Sequence, residues 1–292
     1  MRLVAALDRF LFEPIDARVY AAVRVAYAVV CLAVVAELWP VRRELFCGAM
    51  IPRAPSPPWY LPMAWVTSPA GVSAVLVGAA VCAGLAAVGL LTRLAVVGLY
   101  LWSFSYAYVA YPAETGYDGL VRLAGLALAV SPAARAWSLD GLLRPPRSSW
   151  VPRYGLRLLQ WQLAIVYAVT VWLKAPDPYW RGGDLMSYFM MSIFARHPDA
   201  SWATMGRTSA LLTWGTLVLE TSIPVMLFTR RGRRWGFLCG LALHGGIALE
   251  STIGLFSLAM TPYYAAFLRA EDFDDLARVG RSLRDRVSRR PA

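Results

Sequence analysis

The sequence at residues 19–39 is VYAAVRVAYAVVCLAVVAELW, an apolar run that contains two ionisable side chains, Arg24 and Glu37. A bilayer core of about 30 Å requires about 20 predominantly apolar helical residues to cross it. The length of this run therefore predicts a transmembrane helix, and it sets the scale for the rest of the chain.

Further apolar runs of comparable length follow at 72–91, 94–111, 119–136, 155–174, 208–228, 235–250 and 253–268. The composition agrees, because 58% of the residues are hydrophobic and 16% are charged, with a mean hydropathy of +0.50. A soluble domain carries about 25% charged residues. We therefore predict an all-α, polytopic transmembrane helical bundle of about eight spans, and exclude a soluble enzyme.

The two ends of the chain have a different character from the spans. Residues 1–18 predict a short interfacial helix, and residues 269–292 predict a basic amphipathic tail along the membrane surface. The tail has its acidic residues first and its arginines last, an order that complements a helix dipole. The predicted organisation is an N-terminal interfacial helix, a transmembrane domain over 19–268, and a tail.

The formal net charge of +11 is spread over short basic segments rather than one soluble face. By the positive-inside rule these segments are cytoplasmic, so we predict a multi-pass cell-membrane protein with both termini inside and outer loops at 40–71 and 175–207. Anionic lipids explain the charge better than nucleic acid, and membrane lipids are the expected partners. Four separated cysteines and two histidines, without a CxxC motif, predict no metal site.

Lys174 is the only lysine in the chain, and it ends the predicted span 155–174. A lysine can lose its proton when it is desolvated, whereas an arginine cannot. A lysine at a helix end can equally extend its ammonium group towards the membrane surface. Gln160, Tyr167 and Lys174 are spaced by seven, so they share one helix face, which we expect to point towards a partner helix or a polar cavity.

Other polar residues at membrane depth also need an explanation, because each ionisable group there costs at least about 2.5 kcal/mol. His244 precedes two glycines that leave space beside its ring, although a lone histidine is more often a satisfied hydrogen-bonding group. Glu220 precedes Pro224 by four residues and is expected either to bond the backbone freed at a kink or to pair with Arg24. A second pair expected in the bundle interior is Arg122 with Glu250.

At these residues the sequence resembles a known family. The motif Trp137–Leu143 (WSLDGLL), the segment Ile165-Val166-Tyr167 with Lys174 and Trp180, and His244 followed by Ile253–Ser257 (IGLFS) occur in the same order as in the HTTM family. This family includes bacterial membrane proteins and the membrane domain of vitamin K-dependent gamma-glutamyl carboxylase. The resemblance spans residues 5–268 and implies a common transmembrane fold.

The resemblance also implies a chemistry. In the carboxylase a lysine deprotonates vitamin K hydroquinone, and oxygen addition then gives a strong base that removes a proton from a substrate glutamate. Lys174 aligns with that lysine, and His244 aligns with a family histidine near the quinone. The implied site has Lys174 and His244 as catalytic residues and Tyr167, Gln160, Trp180 and Glu220 around a reduced quinone, either vitamin K hydroquinone or menaquinol.

Two functions remain open at this point. One is quinol-dependent oxygenation or carboxylation with Lys174 as the base. The other is a non-catalytic membrane factor that assists maturation or export of a secreted peptide, with a peptide or protein client on the outer face. A transporter is disfavoured because the sequence has no internal repeat.

Overall fold

The computed structural model describes residues 2–48, 59, 62–145 and 148–288. Its α-helices in chain order are α1 (Arg2–Phe12), α2 (Ala17–Leu38), α3 (Arg42–Phe46), α4 (Pro62–Trp65), α5 (Pro69–Val88), α6 (Thr92–Val109), α7 (Gly116–Ala129), α8 (Leu139–Leu143), α9 (Tyr154–Lys174), α10 (Pro178–Gly182), α11 (Leu185–Met190), α12 (Gly206–Phe228), α13 (Arg233–Glu250), α14 (Phe256–Ala259), α15 (Thr261–Ala265) and α16 (Ala270–Ser288). Two 3₁₀ turns occur at Tyr111–Ala113 and Ala200–Thr204, and two strands, β1 (Pro14–Asp16) and β2 (Trp150–Pro152), form an antiparallel ribbon. The all-α prediction is confirmed.

Within the described residues, four helices are long and apolar enough to cross a membrane: α2, α5, α9 and α12. They coincide with four of the predicted spans, while the count of eight stays a prediction. The segment predicted as a span over 253–268 consists of the short helices α14 and α15. Gly254 has a positive φ of 70°, and Pro262 lies in the first turn of α15, so the chain turns here instead of forming one long helix.

Helix α2 is the centre of the bundle. It packs against α5, α7 and α15. In its most apolar stretch of 18 residues, 61% of the residues are buried, compared with 22–28% in the other three long helices. Its side chains Tyr20 and Tyr27 are fully buried. The first predicted span is therefore the one that the remaining helices surround.

The outward faces of the long helices are apolar. On α9, the exposed residues Leu158, Trp161, Ile165, Val169 and Trp172 are 48–78% accessible. A soluble protein rarely leaves so continuous an apolar surface uncovered. Lipid is the solvent that this surface fits, and the helices indicate a membrane protein.

The bundle has two ends, which we name by the elements that lie there. The basal end carries α1, the β1–β2 ribbon and α16, and the apical end carries the segment 175–205 and the α13–α14 link. At the apical end the amide of Arg196 donates to the carbonyl of Glu250 over 2.7 Å, and Thr252 donates its amide to Phe194. Much of the predicted outer loop 40–71 lies outside the described residues.

The predicted tail forms α16, which rests on the basal end. Phe273 is buried and meets the ring of Trp137 edge-on at 5.3 Å, and Asp272 pairs with Arg233. Leu276 and Val279 are more than half exposed, so an apolar strip of the helix stays uncovered by protein. This strip suits the predicted position at a membrane surface, and residues 289–292 lie outside the described part.

The expected pairing of Arg24 with Glu220 is wrong. Arg24 is fully buried and donates to the carbonyls of Ala133, Ala136 and Trp137, at the turn that precedes α8. The WSLDGLL motif completes this joint, because Asp140 accepts the amides of Leu91 and Thr92 at the start of α6. The motif therefore has a structural role at the basal end, in which it fastens α2, α6 and α8 together.

Candidate functional site

Lys174 forms an ion pair with Glu220 inside the helical bundle. Its Nζ atom lies 2.5 Å and 2.7 Å from the two carboxylate oxygens, which joins the end of α9 to the middle of α12. The Lys174 side chain is 23% exposed and that of Glu220 is 9% exposed. Glu220 thus bonds a lysine across the helix interface rather than the backbone near Pro224.

An aromatic ring covers the ammonium group. The ring centroid of Trp180 lies 4.5 Å from Nζ of Lys174, within cation–π distance. The local sequence places the ring there, since Pro176 cannot continue α9 and Asp177 caps α10 by accepting the amides of Tyr179 and Trp180. Trp180, which the resemblance placed among the cofactor-binding residues, is therefore in direct contact with Lys174.

A second polar layer lies two helical turns below this pair, about 10 Å along the α9 axis. The hydroxyl of Tyr167 is 2.9 Å from Nε2 of His244 on α13 and 2.7 Å from the hydroxyl of Tyr264 on α15. Tyr167 and His244 are buried. The polar stripe predicted on α9 faces inward here, and it meets a hydrogen-bonding partner on each of two helices.

The imidazole of His244 has unused hydrogen-bonding capacity. Its Nδ1 atom is buried and has no hydrogen-bond partner among the described residues. A Cβ atom added to Gly245 or Gly246 would meet nothing within 4 Å, so the next turn of α13 leaves open space. A buried nitrogen without a partner costs free energy unless a ligand or water satisfies it.

Gly240, one turn before His244 on α13, makes room for Tyr264 in this layer. A Cβ atom at Gly240 would lie 2.3 Å from the Tyr264 hydroxyl, which is closer than any real contact. The glycine therefore lets the tyrosine ring approach the backbone of α13 and reach Tyr167. Sequence reasoning did not predict Tyr264 as a site residue, because its only signal was a polar group beside Tyr263 within an apolar segment.

Gln160 does not join the other predicted site residues. Its amide nitrogen donates to the carbonyl of Ala266 over 2.7 Å, and its oxygen accepts from Arg157. It lies about 20 Å from Lys174 along the helix axis, at the basal end. Gln160, Tyr167 and Lys174 do share one face of α9, as predicted. Each of them, however, makes its contacts at a different depth in the bundle.

The remaining ionisable groups make other contacts. Arg122 pairs with Glu114, so its expected pairing with Glu250 is wrong. Glu37 accepts a hydrogen bond of 2.6 Å from the hydroxyl of Tyr117. Among the described residues, no group of three or more His, Cys, Asp or Glu side chains is arranged to hold a metal ion.

Apolar helices of membrane-crossing length around a partly buried lysine–glutamate pair and a buried tyrosine–histidine layer define an α-helical membrane protein with polar groups between its helices. Within this class the chain belongs to the HTTM family, because the HTTM domain model matches residues 12–271. The match agrees with the resemblance derived from the WSLDGLL, IVY and IGLFS motifs. No curated protein and no solved structure matches the chain.

Proposed function

We propose that this protein binds a reduced quinone within the membrane and deprotonates it with the Lys174–Glu220 pair, as the first step of a quinol-dependent oxygenation. The observation that carries the proposal is the position of the chain's only lysine. Lys174 is hydrogen-bonded to the buried carboxylate of Glu220. It also lies on the same face of α9 as Tyr167, the residue that contacts His244.

The residues fit a hydroquinone, which has a hydroxyl at each end of an aromatic ring. His244 offers Nδ1, a buried atom without a partner among the described residues, as a donor or an acceptor according to its tautomer. Trp180 offers an aromatic face beside Lys174.

The Lys174–Glu220 pair is suited to accept a proton. Transfer of a proton from Nζ to the carboxylate along the 2.5 Å hydrogen bond leaves a neutral amine and a neutral acid. The amine then takes the hydroxyl proton of the quinol, and the products are a quinol anion and a pair of charge +1. The two products, the quinol anion and the ammonium group, attract each other more strongly beside apolar helices than they would in water.

Molecular oxygen is the second substrate. The overall reaction balances, because one hydroquinone and one O₂ give one quinone epoxide and one water. The direct test is to incubate the purified protein with vitamin K hydroquinone or menaquinol under oxygen and to measure the epoxide by chromatography. Lys174→Ala should reduce the rate by at least about 100-fold, the contribution typical of a positioned base. Equal epoxide formation by wild type and Lys174→Ala would refute the proposal.

Lys174→Arg separates the base from the ion pair. Arginine retains the positive charge and the bond to Glu220, but it cannot lose its proton. We expect Lys174→Arg to keep the melting temperature and lose the activity. Arg207→Ala is a matched control, because it removes an exposed charge at the apical end and should leave the rate unchanged.

The non-catalytic alternative predicts a different result in cells. If the protein only assists a peptide client, the double variant Lys174→Ala/His244→Ala should still support maturation of that client. Loss of maturation in this variant, with normal protein abundance in the membrane, favours the catalytic function.

A further inference from the structure

A separate polar cavity lies at the basal end, about 20 Å from Lys174 along α9. Its volume is about 320 Å³, at the lower limit of the ~300–1,000 Å³ usual for ligand sites. We call it the arginine cavity, because four arginines contribute to its lining: Arg153, Arg157, Arg233 and Arg269. They come from the start of α9, the start of α13 and the link between α15 and α16.

The acidic residues that line the cavity do not neutralise all four arginines. Asp16 accepts three hydrogen bonds from Arg18, a residue outside the cavity lining. Glu13 lies 2.8 Å from Arg153 and is about half exposed. Glu271 is exposed and belongs to the first turn of α16. Arg157 lies 3.9 Å from the same Glu13 carboxylate, which it shares with Arg153, and Arg269 has no carboxylate partner within the described residues.

Several arginine donors in this cluster are also unsatisfied. The Nε atoms of Arg153 and Arg233 are buried without a hydrogen-bond partner among the described residues. The guanidinium of Arg269 makes no hydrogen bond or ion pair with the part of the chain that the structure describes. Burial, followed by the nearby charge of Arg233, lowers the pKa of Arg269, so its positive charge is poorly compensated.

An apolar surface continues from the cavity along the outside of the bundle. Phe228 lines the cavity and contacts Trp161, with ring centroids 5.8 Å apart. Trp161 in turn meets Phe10 of α1 at 6.3 Å, and its side chain is half exposed. A ligand with a charged head in the cavity has room for an apolar tail along these rings.

We propose that the arginine cavity binds a phosphate-bearing anion. Guanidinium groups match phosphate oxygens in geometry and charge, and several converging arginines are the usual means of holding such a group in a protein. The phosphate can belong to the headgroup of an anionic phospholipid or to a soluble phosphate compound. The adjoining rings favour the phospholipid, and the two sources are separated by experiment.

The test uses the full chain purified in detergent. Native mass spectrometry measures the apparent Kd for phosphatidylglycerol and for phosphatidylcholine with the same acyl chains, and calorimetry measures binding of inorganic phosphate. Arg269→Gln is the main variant, because the lost guanidinium makes no protein hydrogen bond that folding requires. Arg157→Gln is the second variant. Arg144→Gln and Arg281→Gln are controls that remove exposed arginines outside the cavity.

If the ligand is a lipid headgroup, phosphatidylglycerol binds more tightly than phosphatidylcholine, and each cavity variant weakens it by about fivefold. If the ligand is soluble, inorganic phosphate binds, and its affinity falls in the cavity variants. The proposal is overturned if neither anion binds, or if the control variants lose as much affinity as the cavity variants. Lys174→Arg should leave the binding unchanged, so this result is independent of quinol chemistry.

Discussion

Nζ of Lys174 lies within 2.7 Å of both carboxylate oxygens of Glu220, across the interface of two helices that are long enough to span a membrane. Neither charge is fully exposed, so each depends on the other for compensation. Such a pair adds little net stability compared with apolar side chains, but the removal of one partner leaves an uncompensated charge. The pair therefore joins α9 to α12 and also contains Lys174, the proposed base.

This relationship predicts strong coupling in a double-mutant cycle. Lys174→Met should lower the free energy of unfolding by about 3 kcal/mol, because it leaves the carboxylate of Glu220 without a partner. Lys174→Met/Glu220→Met should be more stable than Lys174→Met alone. Thermal unfolding in detergent micelles measures both effects. Additive losses would show that the two side chains do not interact.

Gly240 provides a second prediction, which concerns the tyrosine layer. Gly240→Ala places a methyl group 2.3 Å from the Tyr264 hydroxyl, so the ring must move and the bond to Tyr167 is lost. We expect a loss of about 1–3 kcal/mol in stability, as for other overpacked sites. The epoxide-forming activity should fall as well, because Tyr167 and His244 lose their fixed positions.

Gly245→Ala is the matched control for this prediction. It lies on the same helix, where an added Cβ atom meets nothing within 4 Å. Alanine favours a helix over glycine by up to about 1 kcal/mol, so the control should be at least as stable as wild type. A similar destabilisation in both variants would mean that the close approach of Tyr264 is not the cause.

The sequence predicted the orientation of α9 well. The heptad spacing of its polar residues required one inward face, and Gln160 and Tyr167 are indeed buried. The spacing could not show that this face crosses several layers of the bundle. Gln160 bonds the α15–α16 link at one end, whereas Lys174 bonds α12 at the other.

The partners of the buried charges were harder to predict. The sequence left two partners open for Glu220, the side chain of Arg24 and the backbone near Pro224, and neither is the observed one. Backbone carbonyls left free by the turn before α8 bind Arg24 instead, and this geometry depends on the positive φ of Trp137. Lys174 and Glu220 are 46 positions apart in the sequence, and only the packing of α9 on α12 shows that they meet.

Asp140 of the WSLDGLL motif gives a prediction with a defined pH dependence. Burial alone would raise the pKa of Asp140, but the hydrogen bonds from Thr92 and Leu91 outweigh it and lower the pKa. A depressed pKa adds stability above the unfolded value of about 3.9 that is lost as the pH falls through the folded pKa. Asp140→Asn should cost about 1 kcal/mol at pH 7, because the amide keeps one acceptor oxygen but loses the second acceptor and the charge that strengthens both hydrogen bonds.

The difference between wild type and Asp140→Asn should therefore begin to shrink below about pH 4, where the unfolded state takes up a proton, and should keep shrinking until the folded carboxyl group is protonated as well. Thermal unfolding in detergent at a series of pH values from 7 to 3 tests this expectation. Asp8→Asn, at an exposed position of α1, is the control for loss of a surface carboxylate and should change the stability by less than about 0.5 kcal/mol. A constant difference down to pH 3 would exclude a stabilising role for the Asp140 charge.

The last prediction concerns the attachment of α16 through Asp272. Both carboxylate oxygens of Asp272 accept from Arg233, which is nearly buried, and one also accepts the amide of Arg269. Asp272→Asn removes the charge from these bonds, each of which contributes about 1.5–3 kcal/mol. Hydrogen exchange of the α16 amides at pH 7 should accelerate by about tenfold or more, since a tenfold change in opening corresponds to about 1.4 kcal/mol.

Asp275→Asn, one turn further along α16, makes the comparison specific. Asp275 pairs with Arg234 and Arg278, whose side chains are 75% and 71% exposed. Surface ion pairs of this kind contribute about 0–1 kcal/mol, so this variant should exchange at nearly the wild-type rate. If both substitutions accelerate exchange equally, the helix is held by its overall charge. If only Asp272→Asn does so, the buried bond to Arg233 holds α16 against the basal end, beside the arginine cavity that this arginine helps to line.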